Sequence, residues 1–276
     1  MNHPIITLTT DFGTKDYFVS AAKGRIYNEL PNAHIVDISH KITPFSIYET
    51  SYIIKNAYKH FPKNTIHIIA VDSEWSLENK HYVFLLDDHY FICANNGIVS
   101  LISSVIKPEK VFEITLPKTE NDYFLKNFIV AACHIARGGN LSLIGKETAD
   151  VKYLNEVQPV VNAEKNQIMG NVIYVDNFGN LITNIDKNIF NTIGQGRKFE
   201  LNARSHVFTK IFNSYNEIVN LDIPKGKRND DGKKLALFNS DNYLEIAIYK
   251  SNLQSVGGAS SLMGLNYRDS ITIRFL

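Results

Sequence analysis

The first half of the chain alternates short apolar runs with segments whose apolar residues recur every three or four positions. The short runs have the length and β-branched content of buried strands. They are "IITLTT", "HIVDIS", "TIHIIAV", "YVFLLD", "HYFICA" and "KVFEIT". Residues 16–30 and 43–62 have helical spacing, and Asp16 and Thr43 are the predicted N-caps. Strands that alternate with helices predict an α/β domain with a largely parallel sheet.

The pattern changes after about residue 150. The stretch "ETADVKYLNEVQPVVNAEKNQ" is polar and has no helical spacing. Beyond it, apolar runs of strand length follow one another with little helix between them, from "IMGNVIYVD" to "SITIRF". We therefore predict two domains, an α/β domain over residues 1–155 and an all-β domain over residues 166–276.

Composition limits the kinds of partner. The chain has 276 residues, 44% of them hydrophobic, with a net charge of +1, so no overall field attracts nucleic acid or an anionic membrane. It lacks an apolar stretch of about 18 residues and an N-terminal signal-peptide pattern. Its two cysteines, Cys93 and Cys133, are expected to be buried thiols. These features predict a cytoplasmic protein with no nucleic-acid or membrane partner.

Several common signatures are absent from the sequence. It contains no glycine-rich dinucleotide or triphosphate loop, no cysteine–histidine spacing typical of zinc, and no Gly-x-Ser-x-Gly turn. We therefore expect neither a metal nor a cofactor.

The stretch "TTDFGTKD" places Asp11 at the carboxyl end of the first predicted strand. Ligands of open α/β sheets bind at that edge. A carboxylate there can accept hydrogen bonds from two neighbouring hydroxyl groups, such as those of a ribose. The alternative is a plain turn, in which Asp11 accepts bonds from nearby backbone amides.

The stretch "VDNFGNLITNI" clusters Asp176, Phe178 and Asn180 around a tight turn between two strands. An aromatic face and an amide suit a purine, through stacking and paired hydrogen bonds at the ring edge. A hairpin with no ligand is the alternative. Further on, Ser240 and Asn252 flank another predicted strand.

Taken together, five stretches resemble a known family. They are "TTDFGTKD", "VDISHKITPF", "CANNG", "VDNFGNLITNI" and "NSDNYLEIA". The chain resembles the S-adenosylmethionine hydroxide adenosyltransferases, which are relatives of the fluorinating and chlorinating enzymes. The resemblance implies an α/β N-terminal domain and a barrel-like C-terminal domain. It also implies a homotrimer that binds S-adenosylmethionine where the N-terminal domain of one subunit meets the C-terminal domain of the next.

The resemblance also implies roles for individual residues. In the first domain, Asp11 would hold the ribose hydroxyls and Phe45, in "TPF", would lie against the nucleoside. The adenine would stack on Phe178 and bond to Asn180. The remaining substrate-binding residues would be Asp176 and Ser240, for the amino and carboxylate groups of the methionine part, and Asn252.

The reaction implied by the resemblance is a displacement at the 5′ carbon that gives adenosine and methionine when water attacks. The family's water-using branch employs an aspartate, an arginine and a histidine. Asp72, in "VDSEWSLENKHYVF", retains the aspartate, but Asn79 stands at the arginine position and Tyr123, in "DYFLKN", at the histidine position. The residues left to replace them are Glu74, Lys80 and His81.

Two hypotheses follow from these changes. The first is hydrolysis of S-adenosylmethionine with Asp72, Asn79 and Tyr123 at the catalytic positions. The second is a module that binds S-adenosylmethionine or adenosine with little turnover, because the binding residues match better than the catalytic ones. Halide chemistry is disfavoured, since the halide branch's insertion is missing and Phe124 stands at its serine position.

Overall fold

The computed structural model describes residues 3–117 and 125–276, and the chain forms two compact units, residues 1–156 and 157–276. No helix among these described residues is long and apolar enough to cross a bilayer. Each unit has its own sheet and its own hydrophobic core.

The N-terminal unit contains a seven-stranded sheet. Its strands are β1 (Ile5–Thr10), β2 (His34–Ser39), β3 (Ile66–Ala70), β4 (His81–Leu86), β5 (His89–Ala94), β6 (Lys110–Ile114) and β7 (Gly145–Glu147), in the spatial order β2-β1-β3-β5-β4-β6-β7. The pairs β1–β2, β1–β3 and β3–β5 are parallel. Strand β4 is antiparallel to both β5 and β6, so β6 runs in the direction of β5. Five of the seven strands described thus share one direction, and the predicted largely parallel sheet is confirmed.

Helices cover both faces of this sheet. They are α1 (Phe18–Glu29), α2 (Ile47–Ala57), α3 (Ile98–Ile102) and α4 (Lys126–Ala136). Neighbouring residues of β3 point to opposite faces, so Ile68 packs in the cluster with Phe128 of α4, and Ile69 in the cluster with Ile54 of α2. All five residues of β3 are therefore buried, as expected for a strand covered on both faces.

Both helix starts differ from the sequence prediction. Helix α1 begins at Phe18, with Tyr17 rather than Asp16 at its N-cap. Helix α2 begins at Ile47 after an N-cap at Ser46, so Thr43 is not a cap. The cause lies at Phe45, whose φ of 64° is left-handed and therefore cannot continue a helix.

The C-terminal unit is a nearly closed, barrel-like β structure, as predicted. Its strands are β8 (Val160–Val161), β9 (Gln167–Val175), β10 (Leu181–Asp186), β11 (Phe199–Ala203), β12 (His206–Phe208), β13 (Lys234–Phe238), β14 (Tyr243–Ile248) and β15 (Ser270–Phe275), with α5 (Lys187–Gly194) and α6 (Ala259–Met263) between them. The spatial order is β12-β11-β15-β9-β10-β14-β13, with β8 beside β9. The two short helices were not predicted.

Strand β9 connects two parts of the barrel, because it changes from one partner strand to another along its length. Its first half pairs with β15, up to Asn171, and its second half, from Val172, pairs with β10. Gly170 lies at the change of partner, where a Cβ atom would come within 2.5 Å of Asn184 Oδ1. The absence of a side chain therefore lets the strand pass close beneath β10.

Candidate active site

A cavity of about 460 Å³ opens in the N-terminal unit at the carboxyl edge of its sheet. Its lining residues are Asp11, Phe12, Phe45, Asp72, Ser73, Glu74, Trp75, His81, Leu125, Lys126 and Asn127. Three of the residues predicted from the sequence, Asp11, Phe45 and Asp72, are therefore brought together there.

Sheet topology explains why acidic and imidazole groups meet at this edge. Asp11 directly follows β1 and Asp72 follows β3, and these two strands are parallel neighbours in the sheet. Strand β4 runs in the opposite direction, so its first residue, His81, lies at the edge where β1 and β3 end. Ligands of open α/β sheets bind outside the carboxyl ends of such strands.

Asp11 and Phe45 are directly connected. The carboxylate Oδ2 of Asp11 accepts a hydrogen bond of 2.9 Å from the backbone N–H of Phe45. The bond holds Phe45 in its left-handed conformation and presents its ring at the cavity with 72% of the residue exposed. A carboxylate has about four acceptor positions, so this bond leaves capacity for hydroxyl groups of a ligand.

The loop that carries Asp72 is held by two amide side chains. Asn96 Nδ2 donates to the carbonyl oxygens of Val71 and Asp72, at 3.1 Å each. Asn79 Nδ2 donates to the carbonyl oxygens of Asp72 and Glu74, at 3.0 Å each. Asn79, the residue at the family's arginine position, thus supports the loop backbone and does not line the cavity.

His81 is a buried member of the cavity lining. Its Nε2 lies 2.9 Å from the carbonyl oxygen of Ser73, and its Nδ1 lies 3.3 Å from Asn127 Nδ2. Burial lowers the pKa of His81 below its ordinary value, and the bond to Ser73 offsets part of that effect. The imidazole is therefore neutral near pH 7.

The other residues considered as replacements have different surroundings. Lys80 extends away from the cavity lining and forms an ion pair of 3.0 Å with Glu113. Glu74 lines the cavity and is exposed. Tyr123, the residue at the family's histidine position, lies outside the described residues.

Three cavity residues other than glycine have left-handed backbone conformations. They are Phe45, Asp72 and Leu125, with φ of 64°, 45° and 58°. Each such conformation costs on the order of 1 kcal/mol, and residues in sparsely populated backbone regions cluster at functional sites. This concentration of unfavourable backbone around one cavity supports its assignment as a functional site.

In the C-terminal unit, Asp176 organises the turn before β10. Its Oδ1 accepts hydrogen bonds from the backbone N–H groups of Phe178 and Asn180, each at 2.8 Å, and its Oδ2 accepts one of 2.9 Å from Asn180 Nδ2. Phe178 is 59% exposed at the tip of the turn. Three of the roughly four acceptor positions of Asp176 are therefore used within the turn.

Asn180 connects this turn to a chain of polar side chains. Its Nδ2 also lies 3.3 Å from the hydroxyl of Tyr215, which donates in turn to Glu245. Burial raises the pKa of Tyr215, so its hydroxyl keeps its proton and donates a hydrogen bond to Glu245, whose pKa burial also raises. The Oδ1 atom of Asn180 is buried and, among the described residues, has no hydrogen-bond partner.

Ser240 and Asn252 lie at opposite ends of β14. Ser240 is exposed in the turn between β13 and β14, whereas Asn252 follows the far end of β14. The loop that begins at Ser251 contacts the Phe178 turn, since Ser251 Oγ donates to the Phe178 carbonyl at 3.0 Å. Asn252 is thus near the predicted adenine residues, while Ser240 lies at the other end of the strand.

Sequence reasoning missed several contributors to the cavity. Trp75 and Asn127 line it, and Asn96 supports Asp72 from behind. Of these residues, only Asn96 lies in one of the five stretches that resemble the family, the amide-rich "CANNG". Asn96 does cap α3, since its Oδ1 accepts from the N–H of Ile98 at 3.1 Å.

Comparison with known families shows that both units match domains of a single family. The N-terminal domain of the S-adenosylmethionine hydroxide adenosyltransferases matches residues 6–145, and the C-terminal domain of the same family matches residues 170–272. The chain belongs to this adenosyltransferase family. The resemblance inferred from the five sequence stretches is therefore confirmed.

Individual similar proteins cover most of the chain. An (R)-S-adenosyl-L-methionine hydrolase of Methanocaldococcus jannaschii is 27% identical over 274 residues, which are 98% of this chain and 95% of that protein. A fluorinase of an Actinoplanes species is 23% identical over 72% of this chain and 77% of its own. The crystal structure of a conserved protein from Thermotoga maritima, 26% identical, matches 98% of this chain and 99% of its own with a TM-score of 0.81.

Proposed function

We propose that this protein hydrolyses S-adenosylmethionine to adenosine and methionine. The observation that carries the proposal is the convergence of Asp11, Phe45 and Asp72 on one cavity at the carboxyl edge of the sheet. Membership of the adenosyltransferase family supports substitution at the 5′ carbon of S-adenosylmethionine. The M. jannaschii relative, which matches nearly the full length, supports water as the nucleophile.

Substrate binding follows from the chemistry of the two groups of residues. Asp11 accepts the two ribose hydroxyls, and the exposed ring of Phe45 lies against the nucleoside. In the C-terminal unit, Phe178 stacks on adenine and Asn180 bonds to its edge, with Asn252 nearby. The last acceptor position of Asp176 suits the ammonium group of the methionine part. The assignment of Ser240 to the carboxylate rests on the family resemblance alone, since Ser240 lies at the other end of β14.

The reaction needs little covalent chemistry from the protein. Water forms a bond from its oxygen to C5′ while the C5′–S bond breaks, and the electron pair of that bond neutralises the sulfonium sulfur. The products are adenosine, methionine and one proton. Catalysis then rests on placing water in line with the leaving sulfur and removing competing solvent. Asp72 orients this water from its fixed position in the cavity.

The changed family positions do not prevent this reaction in our proposal. Asn79 contributes no charge, but its side chain holds the Asp72 loop in place. Asp72 therefore keeps its position even though the family's arginine is absent. We retain the homotrimer with intersubunit sites as a prediction, which sedimentation analysis with and without S-adenosylmethionine tests directly.

Isotope labelling provides a direct test of the proposed reaction. Purified protein is incubated with S-adenosylmethionine in water enriched in oxygen-18, and the products are separated by chromatography and analysed by mass spectrometry. We expect adenosine and methionine in equal amounts, with the heavy oxygen in the 5′ hydroxyl of adenosine. A parallel incubation with fluoride or chloride checks that neither ion gives a halogenated nucleoside.

Two results would contradict the proposal. Labelled oxygen absent from adenosine would show that the nucleoside arises by another route. Tight binding of S-adenosylmethionine in calorimetry, with no adenosine released, would replace hydrolysis by the binding-module hypothesis.

A further inference from the structure

His81 carries the one imidazole in the described lining of the cavity. It does not stand at either of the two changed family positions, 79 and 123. It comes to the site on a strand rather than on a loop, as the first residue of β4. Its ring packs edge-on against Phe128, with the ring centroids 4.5 Å apart. The side chain is therefore buried and fixed in orientation while one edge of it borders the cavity.

The hydrogen bonds of His81 define its tautomer. The Ser73 carbonyl oxygen can only accept, so the neutral ring must carry its proton on Nε2, at 2.9 Å from that oxygen. The other nitrogen, Nδ1, then has the lone pair of the ring, and only Asn127 Nδ2, at 3.3 Å, lies within reach of it among the described residues. This contact is long for a hydrogen bond, and catalytic hydrogen bonds in empty sites are commonly long.

Among the described residues that line the cavity, His81 is the side chain best suited to accept a proton near neutral pH. Asp72 and Glu74 contribute negative charge, and Lys126 contributes positive charge to the same lining. An imidazole is the side chain that most often transfers protons near neutral pH. Lys80 is engaged with Glu113, and Asn79 cannot accept a proton.

We propose that Nδ1 of His81 accepts the proton of the attacking water, in a site where Asp72 orients that water. This assignment rests on the proposed hydrolysis of S-adenosylmethionine. As the water oxygen bonds to C5′ and the C5′–S electron pair passes to sulfur, one water proton moves to Nδ1. The ring becomes an imidazolium, which releases the proton to solvent after methionine departs. Asn127 acts as a positioning residue, because its amide can turn to offer its oxygen to the protonated ring.

A glutamine at position 81 separates this role from a structural one. In His81→Gln, the side-chain amide can still donate to the Ser73 carbonyl, but no proton acceptor remains. We expect kcat for adenosine release to fall by about 100-fold or more, with KM changed by less than about threefold. The wild-type rate should fall at acidic pH as the imidazole is protonated, and the variant should lose that dependence.

A matched variant controls for the loss of a buried histidine. His89, which is also buried in the N-terminal unit, lies outside the cavity lining and bonds to His67. The variant His89→Gln should therefore keep the wild-type kcat and the wild-type pH profile. If His81→Gln does not fold, His81→Gly with added imidazole provides the second measurement, since a diffusible base should restore turnover there.

The outcomes distinguish the two proposals. Active wild type with an unimpaired His81→Gln variant, or a His81→Gly variant that imidazole does not rescue, overturns the role of His81 alone. Wild type that binds S-adenosylmethionine without releasing adenosine overturns hydrolysis, and the role of His81 with it. A selective loss of kcat and of the acidic limb in His81→Gln supports the assignment.

Discussion

Replacement of Asn96 by alanine should disable the cavity without touching its lining. Asn96 is buried and makes three hydrogen bonds, two to the carbonyls of Val71 and Asp72 and one from the N–H of Ile98. Asn96→Ala removes all three, although the Asp72 carbonyl keeps its bond from Asn79. Asp72 then loses one of the two amides that hold its left-handed conformation.

The structure gives the size of the effect. A hydrogen bond contributes about 1 kcal/mol net, so three lost bonds lower the free energy of unfolding by about 3 kcal/mol. For a domain of this size that corresponds to a drop in Tm of roughly 6–12 °C. Turnover per folded molecule should also fall, because the water-orienting carboxylate of Asp72 moves even in molecules that remain folded.

The assay uses a reporter that the chain supplies. Trp75 is the single tryptophan of the sequence, and it lines the cavity with 37% of the residue exposed. Its fluorescence in a urea titration follows unfolding of the N-terminal unit, and its emission in native buffer reports the position of the Asp72 loop. Adenosine release is measured on the same samples.

Asn95→Ala provides the matched control. Asn95 also makes three hydrogen bonds, to the Tyr82 hydroxyl, the Asp150 carbonyl and the Lys152 N–H, but none to the Asp72 loop. It should therefore lose similar stability while its folded molecules keep their turnover and native Trp75 emission. Equal effects of the two substitutions on activity per folded molecule would refute the reasoning.

Three further predictions concern separate groups. Asp11→Ala should weaken adenosine binding in calorimetry by at least about tenfold, since each lost bond to a charged acceptor contributes about 1.5–3 kcal/mol, whereas Asp16→Ala, at an exposed position, should not. Asp72→Asn should leave affinity for S-adenosylmethionine nearly unchanged and lower kcat steeply, and an unchanged kcat would reject Asp72 as the water-orienting group. Burial and the neighbouring His89 lower the pKa of His67 to about 3 in the folded protein. Below about pH 6.5 the unfolded chain therefore binds more protons than the folded protein. The free energy of unfolding should then fall by up to about 1.4 kcal/mol per pH unit from there toward pH 3. His67→Gln should flatten that slope in urea titrations at several pH values.

Three predicted strands have the same first and last residues in the structure. The runs "IITLTT", "HIVDIS" and "HYFICA" match β1, β2 and β5 residue for residue. Strand β11 was not among the predicted strands, because "FELNA" mixes charged and small residues; its pairing with β12 and β15 identifies it as a strand. The predicted start of α2 was wrong, because the hydrogen bond that the Phe45 N–H donates to Asp11 overrides the local capping pattern.

The candidate site could be predicted in part, for physical reasons. Asp11 and Asp72 directly follow the apolar runs of parallel strands, so the sequence alone indicates that they share an edge. The place of His81 depends on the reversed direction of β4, which no local pattern specifies. The bracing role of Asn79 likewise depends on how residues 72–79 fold back on themselves, and a position-by-position match to the family shows only that an arginine is absent.

The reversed strand β4 has a consequence for how such sites can diversify. Asp11 and Asp72 lie on connections, where insertions or exchanges alter the backbone path, whereas His81 belongs to a strand paired on both sides. Substitutions in the loop after β3 can therefore reshape the space for an incoming nucleophile while the imidazole keeps its coordinates. The size and polarity of the cavity can therefore change through loop substitutions alone, without rebuilding the sheet that holds His81.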